Sequence, residues 1–161
     1  MPLSATTPNA STLSEGPLDC FKIVLAYEDQ ESAGCGLQIC NKIAHDLGES
    51  FELNKVMWKF DLLNVPKIRQ LAAEDAATAD MIIFAMHQNA DLSGSVCAWI
   101  EKALKDASEK PRALVALLSR DCDTQGKPGL GYLRRLAEIN RIDFFSNLDG
   151  TEESLVLALP A

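Results

Sequence analysis

Two stretches of this sequence carry side chains of the kinds that bind ligands or exchange protons. The first holds the acidic pair Glu28 and Asp29, followed by the hydroxyl of Ser32 and by Gly34. The second begins at His87, directly after a fully apolar run, and an imidazole can take up or release a proton near neutral pH. If the fold brings the two stretches together, they form the first candidate for a ligand-binding site.

Two further polar residues are candidates for the same site. Ser93 stands at the predicted start of a helix, where free N–H groups and a hydroxyl can bind an anion, although ordinary helix capping uses the same residue type. Asp121 lies in a polar loop over 120–129 and is, with Asp91, a candidate partner of His87 in a small hydrolase or transferase. No nucleophile motif accompanies them, so the sequence assigns no catalytic residue.

The elements that must position these residues follow from an alternation of short apolar runs with helix-length amphipathic stretches. The runs are Phe21–Tyr27, Val56–Phe60, Met81–Met86, Ala113–Leu118 and Ile142–Phe145. Strand-sized runs separated by helical patterns indicate βαβ units, and hence a parallel sheet with helices on both faces. The sequence therefore predicts a three-layer, doubly wound α/β domain with five parallel strands.

The order of the strands follows from how apolar each run is. The first, third and fourth runs are almost continuously apolar, which is typical of central strands. Lys55, directly before the second run, and Lys59 within it lie on one face, which suits an edge strand, and the last run is short. This pattern matches the flavodoxin-like order 2-1-3-4-5, in which the loops after strands one and three face a ligand crevice. We therefore expect Glu28 and His87 to lie near each other.

In this topology residues 20–146 resemble the flavodoxin superfamily, whose members bind the phosphate of FMN in the loop after strand one. Flavodoxins use Thr and Ser hydroxyls around a glycine, and here only Ser32 and Gly34 match that pattern. Three carboxylates stand in the same loop and would disfavour a phosphate by about 1 kcal/mol each. The alternative function is an FMN- or nucleotide-binding oxidoreductase with an atypical loop, in which Ser93 also contacts phosphate.

The same loop resembles that of receiver domains of response regulators, which carry an acidic pair after strand one that helps to hold Mg²⁺. Glu28 and Asp29 stand in that place, and Asp61 after strand two could complete a cation site. The phospho-accepting aspartate should end strand three, where this chain has His87, and an acyl phosphate cannot form without it. The leading expectation is a non-catalytic regulatory or protein-interaction domain of the receiver-like kind, without a cofactor.

Three short elements resemble an uncharacterised group of small bacterial flavodoxin-like proteins. They are Trp58–Asp61, Ala72–Ala77 and Trp99–Ile100. The resemblance implies a bacterial setting and no particular activity. Trp99 comes one position before Ile100, at the margin of the predicted buried stripe of its helix, so we expect it in an interface such as a homodimer contact.

Composition limits the setting and the partners. A chain of 161 residues is the size of one domain, which we place at 19–161, while the Ser-, Thr- and Pro-rich residues 1–18 are typical of a disordered tail. The net charge of −8 argues against nucleic acid as a partner, and no apolar run is long enough to span a bilayer. Five cysteines without metal-ligand spacing favour reduced thiols, and hence the cytoplasm.

Overall fold

The computed structural model describes residues 19–87, 92–107, 109, 111, 113–118 and 128–146. Within these residues the strands are β1 (Asp19–Tyr27), β2 (Phe51–Lys59), β3 (Met81–Met86), β4 (Ala113–Leu118) and β5 (Asp143–Ser146). The helices are α1 (Gln30–Leu47), α2 (Pro66–Ala77), α3 (Gly94–Asp106) and α4 (Pro128–Asn140), with short 3₁₀ turns at Gly48–Ser50 and Phe60–Asn64. The predicted tail over 1–18 and Asp121 lie outside the described residues.

The five strands form one parallel sheet in the order β2-β1-β3-β4-β5, which confirms the predicted flavodoxin-like fold. Every residue of β3 and β4 is buried, as expected for central strands, whereas β2 is half-exposed at one edge. Strand β1 pairs with β2 on one side and with β3 on the other. The chain therefore reverses its direction of winding between β1 and β3, and the connections that follow these strands leave toward opposite faces.

Each face of the sheet has its own apolar core. On one face, alternate residues of the strands, among them Val24 and Ile82, pack against α2, α3 and α4. On the other face, residues such as Ile23 and Leu25 pack against α1. Since successive side chains of a strand point to opposite faces, both cores draw on the same central strands.

Helix α1 lies unusually close to the sheet at Gly36. A Cβ atom at this position would stand 2.6 and 2.7 Å from the two Cδ atoms of Leu25, a fully buried side chain. The helix ends at Gly48, whose φ of 72° is the left-handed conformation that favours glycine. These two glycines fix the position and the end of the helix whose first turn forms part of the candidate site.

Helix α2 is rotated relative to the sequence prediction. Its periodicity predicts one buried apolar stripe, which Asp75 interrupts and which consists of Ile68, Leu71, Ala72, Ala76 and Ala79. The expected buried stripe included Leu71, but Leu71 is 56% exposed and the buried face consists of Ala72, Ala73 and Ala76. Small alanine side chains allow α2 to pack closely, and that close packing fixes which face of the helix turns inward. The large Leu71 side chain is therefore left on the outside.

Asp75, which interrupts that predicted stripe, has partners in the structure. Its Oδ2 accepts a hydrogen bond of 3.2 Å from the indole Nε1 of Trp58, and its Oδ1 lies 3.5 Å from the Nζ of Lys22. The Lys22 ammonium also donates to the Thr78 hydroxyl at 2.7 Å. These contacts satisfy a half-buried carboxylate, as a charged group away from bulk water requires.

Trp99 is not at the margin of the buried stripe of α3, where the sequence places it, and its expected role in an interface stays a prediction. Its side chain is 0% exposed and packs on Phe84, with ring centroids 5.6 Å apart. Helix α3 packs against α2 as well as against the sheet, so its buried arc is wider than a stripe facing the sheet alone. Trp99 lies inside that arc.

Candidate functional site

The carboxyl ends of β1 and β3 bring Glu28 and His87 together, as the strand order predicts. The Glu28 N–H donates to the carbonyl oxygen of Ala85 at 3.0 Å, which continues the pairing of the two strands by one residue. The Glu28 side chain then accepts a hydrogen bond of 2.9 Å from the His87 backbone N–H. Glu28 thus holds the backbone at His87, directly after β3, and its carboxylate is turned toward the protein.

Asp29 connects the start of α1 to the imidazole of His87. Its Oδ1 accepts a hydrogen bond of 2.9 Å from the Ser32 backbone N–H, which makes Asp29 the N-cap of the helix. Its Oδ2 lies 2.6 Å from the Nε2 of His87. One carboxylate therefore caps a helix with one oxygen and binds the histidine of a different strand with the other.

These contacts shift the protonation of both groups. The Ser32 backbone N–H and the His87 side chain lower the pKa of Asp29 from 3.8 to about 2. The hydrogen bond to Asp29 raises the pKa of His87, assisted by the charges of Asp29, Glu28 and Glu31 and opposed by partial burial. Since each charged form stabilises the other, the two side chains form an ion pair whenever both are ionised.

Glu31 completes the cluster, and the sequence argument gave it no role beyond that of one more charge in the loop. Its Oε1 lies 4.0 Å from the Nε2 of His87, and its side chain is 75% exposed, whereas the side chain of His87 is only 29% exposed. Three carboxylates thus surround one imidazole, which leaves the site negative even when His87 is protonated. Glu31 stands in the first turn of α1, where the helix dipole stabilises acidic residues, and this position was the sequence feature that could have pointed to it.

Two of the predicted site residues stand apart from this cluster. Gly34 lies inside α1, because the helix begins at Gln30, so its N–H falls beyond the four that a helix leaves free at its start. Ser93 caps α3 by accepting a hydrogen bond of 3.3 Å from the Val96 N–H, and no hydrogen bond connects it to His87 among the described residues. Asp91 and Asp121, the expected partners of His87, lie outside the described residues.

The arrangement can do two things chemically. A carboxylate-bound imidazole can take up a proton near neutral pH, and it can be held as a cation that pairs with acidic groups. Among the described residues no group of three or more His, Cys, Asp or Glu side chains is placed to hold a metal ion, so Glu28, Asp29 and Asp61 do not form such a site. In that same part of the chain, none of the helices has the length and apolar character needed to cross a bilayer.

Comparison with known proteins adds no family. No protein-family model matches the chain, and no curated protein matches it at a significant level. What the molecule does has to be argued from the site, which consists of Glu28, Asp29, Glu31, Ser32 and His87 at the carboxyl edge of β1 and β3.

Proposed function

We propose that this chain is a non-catalytic regulatory or protein-interaction domain of the receiver-like kind, which works in the bacterial cytoplasm without a bound cofactor. The observation that carries the proposal is the bond between Asp29 and His87. In a flavodoxin-like fold the start of α1 is where the phosphate of a ligand would bind. Here a carboxylate of the chain itself occupies that place.

The free N–H groups at the start of α1 are partly consumed by this carboxylate. The Ser32 N–H donates to the Asp29 side chain at 2.9 Å, whereas the Ala33 N–H makes the first hydrogen bond of the helix itself, to the Asp29 backbone carbonyl at 2.9 Å. A phosphate would have to displace Asp29 from both the helix and His87 before it could bind there. The Asp29 carboxylate would compete with a phosphate for the Ser32 N–H, as an N-cap side chain does at a helix start, and this supports the proposal.

Charge acts in the same direction. Glu28, Asp29 and Glu31 contribute three negative charges, and protonated His87 contributes one positive charge. The cluster therefore carries an excess of negative charge. At separations near 4 Å, each uncompensated carboxylate repels a phosphate oxygen by about 1 kcal/mol in a water-like medium and by more where water is excluded. These magnitudes favour a site that is closed to phosphate.

Catalysis by His87 has less support than structural pairing. Its Nε2 lies within hydrogen-bond reach of a carboxylate oxygen only, and its backbone N–H is bound to Glu28. An acid–base catalyst would need a nucleophile or a substrate group beside the imidazole. The Ser32 side chain is hydrogen-bonded to Asp29 and not to the imidazole, and no hydroxyl or thiol among the described residues is hydrogen-bonded to Nε2.

The experiment that tests the proposal is a flavin retention assay. The purified protein is incubated with excess FMN, passed through a desalting column and examined by visible absorption, and a parallel titration measures binding of inorganic phosphate. We expect no retained flavin and no phosphate binding by the natural chain. A flavin band that survives desalting would overturn the proposal in favour of the oxidoreductase alternative.

A variant pair tests whether Asp29 is the group that blocks the site. Asp29→Ser keeps a residue that can cap the helix, removes one negative charge and releases His87. Asp46→Asn removes one negative charge from an exposed position near the other end of α1 and serves as the matched control. We expect weak phosphate binding to appear in the first variant and not in the second. Equal behaviour of the two variants would show that Asp29 is not the block.

A further inference from the structure

The outward face of α2 carries a large apolar side chain at its centre. Leu71 is 56% exposed, while the opposite face of the helix is buried through three alanines. The exposed neighbours of Leu71 on this face are Lys67 and Glu74. In an α-helix these residues precede and follow Leu71 by about one turn and lie on the same side. Along this face, Lys67, Leu71 and Glu74 therefore follow one another in the direction of the helix axis.

Exposed large apolar side chains are concentrated in the part of the chain that leads into α2 and through its first half. Four large apolar side chains are exposed among the described residues, and three of them are Leu62 at 43%, Val65 at 44% and Leu71 at 56%. The fourth, Ile139 at 71%, belongs to α4. These three residues lie between positions 62 and 71, in one short turn and the helix that follows it, and Leu71 is the one at the centre of α2.

The charges on this face are self-complementary. Neither Lys67 nor Glu74 takes part in an ion pair within the described residues. Leu71 lies about 6 Å along the axis from Lys67 and about 4.5 Å from Glu74, so it stands close to the midpoint between them. If a second α2 is laid antiparallel on the first, each Lys67 faces the other Glu74 and the two leucines meet. A two-fold interface has this property, since every contact occurs twice.

We propose that the outward face of α2 binds a second copy of this chain, as an antiparallel pair of α2 helices related by a two-fold axis through the region of Leu71. This inference deepens the proposed interaction function by naming the partner. A pair of helices of 12 residues buries less surface than the roughly 1,200–2,000 Å² of a stable interface, so the dimer is weak and concentration-dependent.

The first test is sedimentation velocity over a wide range of protein concentrations. It is performed near physiological ionic strength, where salt screens the repulsion between two chains of net charge −8. We expect a reversible monomer–dimer equilibrium that Leu71→Lys abolishes. The matched control is Ile139→Lys, which makes the same change at an exposed position of α4 and should leave the equilibrium unchanged. A chain that stays monomeric up to millimolar concentration, or a dimer that survives Leu71→Lys, would overturn the proposal.

Charge exchange tests the antiparallel arrangement. Lys67→Glu and Glu74→Lys each place like charges opposite one another in both halves of the dimer, so each variant should self-associate about tenfold more weakly than the natural chain. An equimolar mixture of the two variants restores both ion pairs in a heterodimer, whose affinity should return to that of the natural chain. A mixture that associates no better than either variant alone would overturn the antiparallel pairing.

The failure of this inference is distinguishable from the failure of the proposed function. If the chain is monomeric and retains no flavin, the α2 dimer is contradicted. The proposed interaction domain then binds a different partner. A dimeric chain that retains flavin contradicts the cofactor-free function and leaves the α2 interface standing. The two measurements use the same natural chain and do not depend on each other.

Discussion

Replacing Asp29 by Asn separates the ionic bond to His87 from the capping of α1. Asn caps helices as well as Asp does, so the hydrogen bond to the Ser32 N–H can be kept while the negative charge is lost. The pKa of Asp29 falls from 3.8 to about 2 on folding, which corresponds to about 2 kcal/mol before solvent is considered. Because its side chain is 43% exposed, screening reduces the expected contribution to about 1 kcal/mol.

The sign of the pH dependence follows from the two shifts. The depressed pKa of Asp29 gives stability that is present above 3.8 and is lost as the pH falls toward 2. The raised pKa of His87 gives stability that is present below its unfolded value of 6.5 and is lost as the pH rises through the higher folded value. The ion pair therefore contributes most between about pH 4 and pH 6.5, and less on either side.

The assay is urea unfolding of the natural chain and of Asp29→Asn at a series of pH values, monitored by fluorescence and circular dichroism. We expect a difference in the free energy of unfolding of about 1 kcal/mol near pH 5.5 that shrinks toward alkaline pH. The double variant with His87→Gln should lose less than the sum of the two single losses, since each single variant already removes the same bond. A difference that is constant from about pH 4.5 to pH 9 would refute the ion pair.

Two further predictions concern α1. Gly34→Ala should stabilise the protein by about 1 kcal/mol, because a Cβ there meets no atom within 4 Å, whereas Gly36→Ala should destabilise it by about 1 kcal/mol net through overlap with Leu25. Thermal unfolding of the pair checks this, and equal shifts would contradict the close approach. Burial raises the pKa of the Cys40 thiol to about 11, so Cys40 should resist a thiol reagent that labels exposed Cys35 quickly, as peptide mass spectrometry can show. Equal labelling rates in the folded protein would refute the burial of Cys40.

Much of the fold could be predicted from the sequence because apolar runs and their interruptions report directly on burial. The runs Met81–Met86 and Ala113–Leu118 coincide with β3 and β4, and the lysine-bearing second run lies at the sheet edge. The bounds of β2 were too short, since its first half alternates weakly at an exposed edge. Periodicity detects buried strands well and exposed ones poorly.

The candidate site was predicted in its location and only partly in its contacts. Strand order placed Glu28 and His87 at one edge, but it could not show that Asp29 binds the imidazole, because that choice depends on side-chain directions beyond the strand ends. Nor could helical periodicity decide how α2 is rotated. Leu71 and Ala72 are neighbours in sequence, and only the close packing of small residues decides which of them is buried.

The place of β1 between β2 and β3 has a consequence for how the chain is made. Strand β1 leaves the ribosome first, and its second partner, β3, begins roughly fifty residues after β1 ends. At the usual rates of synthesis one edge of β1 stays unpaired for about 3–10 s, during which its apolar residues are open to other chains. Pairing with β2 comes earlier but covers only the other edge. During the interval before β3 emerges, the nascent protein is thus exposed to aggregation and to chaperones through the open edge of β1.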